Sequence, residues 1–348
     1  MGKNYTNHIT LKKIMKVEII AEMAQGFEGD ITQTKLLILA AASSGANAVK
    51  FQLVYADELA TPDYLHYDLF KKLEMSDEEW SSIAKYSIEQ NIELYLDVFG
   101  VKGLYLCEKI GLKAIKLHPT DITNLGLLQK VSESKVSNII LGVGGANLDE
   151  IEVALNILKN KNIDLLLGFQ AYPTQNNDNH IYRLKTLKDY LDKKYNNFRI
   201  GFADHAEPED SLKFAIACTA IGAGAKVLEK HLTLGKVMKM EDHESALNPD
   251  EFKDFTYIVN QCANSMGEEK TISNDFGMSV DERKYRKAIR RHVVTSKKLT
   301  KSKIILAEDV VLKRTSSENV IYDLGVVYNK ELTEDIEKNK AININNLK

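Results

Sequence analysis

Two histidines stand at matched places in the chain. His205 follows the apolar segment 199–202, and His231 follows the segment 225–229, with a helical pattern between them. If both segments are parallel strands, the two imidazoles lie at one carboxyl edge, where α/β folds place their chemistry. Asp204 and Glu229 lie beside them, and neutral imidazoles with nearby carboxylates are typical of a divalent-metal site. A histidine pair alone is also typical of an ordinary polar rim, so the rest of the chain must decide.

Further polar residues end the other apolar segments. In chain order they are Glu22, Lys50, Gln52, Asp97, Lys116, His118, Gln170 and Tyr172. The two lysines predict an anionic ligand, because a buried ammonium without a partner is costly. The alternative interpretation is that each lysine forms a structural ion pair with Glu22 or Asp97.

A glycine run offers a second possible contact for an anion. Gly142, Gly144 and Gly145 come just before a helical pattern that starts near Asn147. Backbone N–H groups at the amino end of a helix can hold phosphate. A tight turn explains the glycines equally well, so the run alone does not decide.

Strands and helices must alternate to bring these residues together. The predicted strands are 17–23, 48–52, 92–98, 114–117, 138–141, 164–169, 199–202 and 225–229, and the predicted helices are 32–43, 77–90, 103–110, 125–133, 149–159, 181–194, 210–221 and 249–266. Eight such repeats predict a (β/α)₈ TIM barrel, because each short apolar strand needs both faces buried. A doubly wound open sheet is the second possibility. The long connections 53–75 and 173–180 are expected to cover a site.

Composition limits the remaining possibilities. The net charge of -3 argues against a general nucleic-acid or membrane-surface binder. The three cysteines lack paired spacing, which favours reduced thiols and a cytoplasmic setting. Long apolar runs typical of a membrane span are absent from the sequence. We expect an N-terminal arm at 1–16, a barrel at 17–266, a polar linker at 267–284 and a small second domain at 285–348.

Several motifs in register resemble one family. The strings IAEMAQGFEGD, AVKFQ, YPT, GFADHA, GAKVLEKHLTL and EDHESALNPDEF are similar to those of the sialic acid synthase (N-acetylneuraminate synthase) family. The resemblance implies a barrel followed by a small antifreeze-like (SAF) domain. It also implies condensation of phosphoenolpyruvate with a 2-acetamido-hexose, such as N-acetylmannosamine, to give phosphate and a nonulosonic acid of the sialic, legionaminic or pseudaminic type. A divalent metal, Mn²⁺ or Mg²⁺, and a homodimer belong to the same expectation.

The resemblance also implies roles for individual residues. His205 and His231 match metal ligands, and Glu22 and Glu229 are expected to join them as catalytic residues. The residues expected to bind the substrates are Lys50, Gln52, Asp97, Lys116, Gly144, Gln170, Tyr172 and Asp204, together with Asp242 for the acceptor sugar. Arg314 matches an arginine that reaches into the neighbouring subunit.

The sequence departs from the family pattern at positions near the expected phosphate. Asp97 replaces a threonine, Pro119 and Ala203 replace serines, and a Gly-Val-Gly run at 142–144 replaces Ser-Thr-Gly. Gln170 replaces an asparagine, and the turn at 26–29 reads Gly-Phe-Glu-Gly instead of Asn-His-Asn-Gly. Two alternatives therefore stay open: a metal-dependent aldolase that uses pyruvate, and a catalytically silent sugar-binding barrel.

Overall fold

Eight parallel strands close into a barrel in the first of two compact units, 1–269 and 270–348. The computed structural model describes residues 16–168, 171–267 and 274–348. The strands are β1 Glu18–Glu22, β2 Ala48–Leu53, β3 Glu93–Val98, β4 Ala114–Leu117, β5 Asn138–Gly142, β6 Asn162–Gly168, β7 Phe198–Asp204 and β8 Val227–His231. Strand order follows chain order and β8 pairs with β1, which confirms the predicted TIM barrel and rules out the doubly wound sheet.

Helices connect successive strands. In the first unit they are α1 Ile31–Ser43, α2 Ala56–Leu59, α3 Tyr67–Leu73, α4 Asp77–Glu89, α5 Val101–Lys109, α6 Leu125–Glu133, α7 Leu148–Ile157, α8 Tyr182–Leu191, α9 Ala215–Gly222 and α10 Pro249–Ser265. A capping box begins α4, because the Ser76 hydroxyl accepts from the Glu79 N–H and the Glu79 carboxylate accepts from the Ser76 N–H. At the start of α10 the Glu251 carboxylate accepts from the Asn248 N–H. Apolar faces of these helices pack on the outside of the barrel and form the main core.

Several predicted boundaries were wrong. The helix predicted from position 210 begins at Ala215, because Asp210 accepts from the Leu212 N–H and the chain turns there first. β7 and β8 each end two residues later than predicted, so His231 is the last residue of its strand. The long connection 53–75 contains α2 and α3 instead of an irregular loop.

The second unit has a small core of its own. Helix α11 Val280–Ile289 begins inside the segment predicted as a polar linker, where Ser279 and Glu282 form a capping box. The antiparallel strands β9 His292–Thr295 and β10 Val310–Lys313 follow. The buried residues of this core are Val293, Leu299, Ile305, Val310, Ile321, Val327, Leu332, Ile336 and Ile342. Its identification as an antifreeze-like domain stays a prediction. Across both units, no described helix is long and apolar enough to cross a membrane.

Candidate active site

A layer of charged side chains lies inside the barrel above an apolar layer. The apolar layer takes one residue from each strand: Ile20, Ala48, Tyr95, Ala114, Ile140, Leu166, Ala203 and Val227. Alternate residues of a strand share one face, so the residues two positions further on also point inward. Five of these are Glu22, Lys50, Asp97, Lys116 and Glu229, which we call the charge cluster.

Close contacts between acidic and basic side chains connect the whole charge cluster. Lys50 contacts the Glu22 carboxyl group and lies 2.9 Å from Asp97 Oδ2 and 3.6 Å from Glu229 Oε2. Lys116 Nζ lies 2.7 Å from Glu229 Oε1 and 4.0 Å from Asp97 Oδ2. All five residues are buried, and Lys50 is 0% exposed while Lys116 is 7% exposed. The structural ion pairs considered for both lysines are therefore present.

Burial and charge set the protonation of the cluster. Burial raises the pKa of Glu22 to about 8, with Glu229 and Asp97 adding to the effect against the attraction of Lys50. Burial also acts against ionisation of Asp97 and Glu229, but the two lysines hold the pKa of both carboxyls below the ordinary value. At neutral pH the cluster therefore holds two ammonium groups, two carboxylates and one protonated glutamic acid, Glu22.

The two histidines meet beside this cluster. The rings of His205 and His231 have centroids 5.2 Å apart, and the Tyr172 ring packs edge-on against both at 5.7 and 5.5 Å. Burial lowers the pKa of His205 to about 4, and burial with the nearby His205 and Lys50 lowers that of His231 as well. Both imidazoles are therefore neutral at physiological pH, which is the form that binds a metal ion.

The donor set is compatible with a divalent ion. His205 Nδ1 lies 3.2 Å from the carbonyl oxygen of Ala203, which can only accept, so the proton sits on Nδ1 and the lone pair on Nε2. Glu229 Oε2, close by, accepts no hydrogen bond from any described residue. Within the described ranges no three His, Cys, Asp or Glu side chains are arranged as a complete metal-binding group. The protein would thus contribute two imidazoles and leave the remaining positions to water and substrate.

Two cavities open at the carboxyl end of the barrel. The larger cavity, of 780 Å³, is lined by Gln25, Gln52, Asp57, Glu58, Leu59, Ala60, Thr61, Tyr64, Phe70, Phe99, His118 and Thr120. The smaller cavity, of 470 Å³, is lined by Lys116, His118, Pro119, Thr120, Ile122, Thr123, Gly142, Gly144, Gly145, Ala146, Glu150, Leu166, Gly168, Ala203 and His205. His118 and Thr120 line both, so the two spaces share a wall above the charge cluster.

The structure brings some predicted site residues to these cavities. Lys116, Gly144 and His205 line the smaller cavity, and Gln52, held by a 2.9 Å bond from Gln25 Nε2, lines the larger one. Asp242 lies at the same rim, where its carboxylate accepts from the Gln25 N–H at 3.0 Å and its carbonyl from the Tyr172 hydroxyl.

Other predicted residues lie elsewhere. Asp204 points away from the barrel interior, because it alternates with Ala203 and His205, and its carboxylate binds Lys230 at 3.2 Å and the Ala206 N–H at 2.8 Å. It supports the turn that carries His205 and lines neither cavity, and its contact with substrate stays a prediction. Lys50 also lines neither cavity, and its contact with a ligand stays a prediction.

Two further predicted residues stay untested by the structure. Gln170 lies outside the described residues. Arg314, in the second unit, is exposed and donates to the carbonyl oxygen of Ile289 at 3.1 Å. Its predicted reach into a neighbouring subunit stays a prediction.

Two departures from the family pattern depend on each other. A Cβ added at Gly142 would lie 2.5 Å from Pro119 Cδ, so the proline on the β4 side requires a glycine on the β5 side. At the amino end of α7 the Glu150 carboxylate accepts from the Asn147 N–H at 2.7 Å, so a negative charge already lies there. Gly144 and Gly145 therefore shape the smaller cavity as a turn.

His118 is the wall residue to which sequence reasoning assigned no role. The sequence identifies it as a polar residue at the end of the fourth strand, one residue beyond β4, but its position between the two cavities is visible only in the structure.

Comparisons with known proteins agree with this architecture. The NeuB family profile matches residues 37–271. N,N'-diacetyllegionaminic acid synthase of Campylobacter jejuni is 30% identical over 92% of this chain and 98% of its own length. Human N-acetylneuraminate-9-phosphate synthase is 26% identical over 72% of this chain and 71% of its own.

A solved structure provides the same match in three dimensions. The N-acetylneuraminic acid synthetase of Leptospira borgpetersenii, in complex with citrate, superposes with a TM-score of 0.69 at 27% identity, covering 79% of this chain and 93% of that one. The profile match spans more than half of the chain, and the resemblance inferred from the motifs is confirmed. The chain belongs to the NeuB family.

Proposed function

We propose that the protein condenses phosphoenolpyruvate with a 2-acetamido-hexose to form a nonulosonic acid and inorganic phosphate. The observation that carries this proposal is the pair of cavities that share a wall directly above the charge cluster and the two neutral imidazoles. A reaction that joins two substrates requires two adjoining spaces held in fixed orientation. The names of the relatives, which are nonulosonic acid synthases, support the same reaction class.

The smaller cavity suits the three-carbon donor. Lys116 provides an ammonium at its base, only 7% exposed, where a charge-assisted bond to phosphate or carboxylate is stronger than in water. Positions 119, 142 and 203, where the family has serines, carry no hydroxyl group in this chain. Lys116 is the cation among the described residues that line this cavity. Donor binding should therefore depend heavily on Lys116.

The larger cavity suits a neutral acceptor sugar. Gln25, Gln52 and Glu58 offer hydrogen-bonding groups for hydroxyls and an amide N–H, while Tyr64 and Phe99 offer apolar surface for an acetamido methyl group. The described residues that line this cavity include two carboxylates and neither lysine nor arginine. A phosphorylated acceptor would meet carboxylates without a cation, so we propose that the acceptor is not phosphorylated.

Glu22 has the protonation state that the chemistry needs. When the enol carbon of the donor attacks the open-chain aldehyde, the aldehyde oxygen gains negative charge and must take up a proton. Protonated Glu22 can give that proton. Its carboxylate can then take a proton from the water that adds to the donor's cationic carbon. Collapse of this adduct forms the C=O bond of the product, breaks the C–O bond to phosphate and transfers the hydroxyl proton to the departing phosphate.

A divalent ion fits beside this path. His205 and His231 would hold Mn²⁺ or Mg²⁺, which would act as a Lewis acid on the aldehyde oxygen. Tyr172 packs against both rings and fixes their orientation. We further propose a cytoplasmic homodimer in which Arg314 of one subunit completes the acceptor site of the other.

The test is a donor and acceptor screen. The purified protein is incubated with Mn²⁺, phosphoenolpyruvate and a panel of mono- and diacetamido hexoses, and phosphate release is followed together with product mass. In ¹⁸O-water the label should enter the sugar acid and not the phosphate, because the C–O bond breaks. Turnover with pyruvate instead would support the aldolase, and binding without turnover of any pair would support the silent sugar-binding barrel.

A further inference from the structure

His118 stands between the two cavities. It lines both, and it lies one residue beyond the end of β4 and two residues beyond Lys116, with which it lines the smaller cavity. On the other side the ring packs against Phe99, with centroids 5.7 Å apart. The ring is therefore placed where the two substrates would meet.

One nitrogen of this ring is already occupied. His118 caps the 3₁₀ turn Pro119–Asp121, where Nδ1 accepts from the Thr120 backbone N–H at 3.4 Å and lies 2.9 Å from Thr120 Oγ1. A backbone N–H can only donate, and the Thr120 hydroxyl can donate to Nδ1 as well, so we assign the proton of the neutral ring to Nε2. Burial lowers the pKa of His118 to about 4, so the ring stays neutral at physiological pH. The turn thus fixes a neutral hydrogen-bond donor at the shared wall.

We propose that His118 is a specificity-determining residue whose Nε2–H donates a hydrogen bond to the anionic donor substrate in the smaller cavity. This inference rests on the proposed function. Among the described residues that line the smaller cavity, Lys116 is the cation and Glu150 is an opposing carboxylate. An anion with both a phosphate and a carboxylate needs more donors than one ammonium provides. A neutral imidazole supplies one without changing the charge of the cluster below.

Two substitutions separate the two nitrogens of the ring. In His118→Asn the side-chain oxygen can replace Nδ1 as the cap of Thr120, but nothing replaces Nε2. In His118→Gln the side-chain amide nitrogen can reach the position of Nε2, but the cap is lost. The first variant therefore keeps the turn without the donor, and the second keeps the donor without the turn.

The experiment measures steady-state kinetics with phosphoenolpyruvate varied at saturating acceptor, and the reverse. We expect the KM for phosphoenolpyruvate to rise about tenfold or more in His118→Asn, in line with loss of a hydrogen bond to a charged group, while the KM for the acceptor changes little. The KM of His118→Gln for phosphoenolpyruvate should stay within about threefold of the wild-type value, because the amide N–H of the glutamine can still donate to the substrate. The reverse order, or equal KM values in wild type and His118→Asn, would overturn the proposal.

A spectroscopic measurement covers the case in which both variants are damaged. In the wild-type protein with ¹⁵N-labelled histidine, the His118 resonances should show the Nε2–H tautomer, and the Nε2 signal should shift when phosphoenolpyruvate is added. A Nδ1–H tautomer, or an Nε2 signal that does not respond, would refute the role of His118. Wild-type protein that neither binds nor consumes phosphoenolpyruvate would instead refute the proposed function itself.

Discussion

Lys116 should have two separable functions, because it holds the charge cluster together and faces the smaller cavity. Replacement by methionine keeps the length of the side chain and removes its charge. The Coulomb attraction to Glu229 at 2.7 Å amounts to about 6 kcal/mol at an effective dielectric constant of about 20. Desolvation of the ammonium offsets several kcal/mol of this, so Lys116→Met should lower the free energy of unfolding by about 3–5 kcal/mol.

Donor binding should weaken in the same variant for a different reason. Loss of a charge-assisted hydrogen bond to the donor should raise the KM for phosphoenolpyruvate by about tenfold to a hundredfold. The double variant Lys116→Met with Glu229→Gln separates the two effects, because it removes both charges of the pair. Its stability should return most of the way to that of wild type, whereas its affinity for phosphoenolpyruvate should stay weak.

The measurements are urea unfolding and calorimetric titration with phosphoenolpyruvate on wild type and both variants. Titration is preferred over turnover for the double variant, because Glu229 is itself a candidate catalytic residue. If the double variant recovers stability and donor affinity together, Lys116 is a structural residue only. If Lys116→Met loses less than about 1 kcal/mol, the buried ion pair is not the strong contact inferred above.

Three further outcomes are expected. Glu22 has a pKa of about 8 in the folded protein against an ordinary 4.5, so the folded state binds a proton that the unfolded state lacks between these pH values. The stability that this site contributes is complete below pH 4.5 and is lost as the pH rises towards 8. In a chelating buffer the free energy of unfolding of wild type should therefore fall, relative to that of Glu22→Gln, by up to about 1.4 kcal/mol per pH unit. Parallel curves of unfolding free energy against pH for the two proteins would contradict this. Chelation should abolish turnover, and His231→Ala should remove the dependence on metal together with activity; wild-type turnover in that variant would refute its role as a ligand. Mixing inactive His205→Ala and Arg314→Ala subunits under exchange should restore a sizeable fraction of wild-type activity, and confirmed exchange without recovery would rule out a shared site.

The barrel could be predicted from the sequence because its signal is repeated. Each strand is a short apolar run followed by a helical pattern, and small errors at one boundary do not change the order of the elements. The inward position of Glu22 and Lys116 follows from the same alternation once the strand is known. The position of the strand end is important at β7, because the strand extends to Asp204 and its alternation directs Asp204 outward and His205 inward.

The contacts within the site depend on distances that the sequence does not contain. Alternation places Lys50 inside the barrel, but only the closed structure surrounds it with three carboxyl groups and removes it from both cavities. The dependence of Gly142 on Pro119 likewise joins two strands that are separated by α6. The sequence places His118 at the end of the fourth strand, but its contact with Phe99 and its position between the two cavities depend on the folded structure.

The charge count in the barrel limits how an anionic donor can bind. With Glu22 protonated, the two lysines of the cluster are balanced by Asp97 and Glu229, so the cluster has no spare positive charge for phosphoenolpyruvate. Under the proposed function, a donor with several negative charges would gain hydrogen bonds from Lys116 and from the neutral ring of His118, but no net charge compensation from the cluster. Residues without hydroxyl groups at 119, 142 and 203 remove three further hydrogen-bond donors. Donor binding should therefore depend more strongly on Lys116 and His118 than in a site that keeps those hydroxyls, because Lys116 is the cation among the described residues that line the smaller cavity.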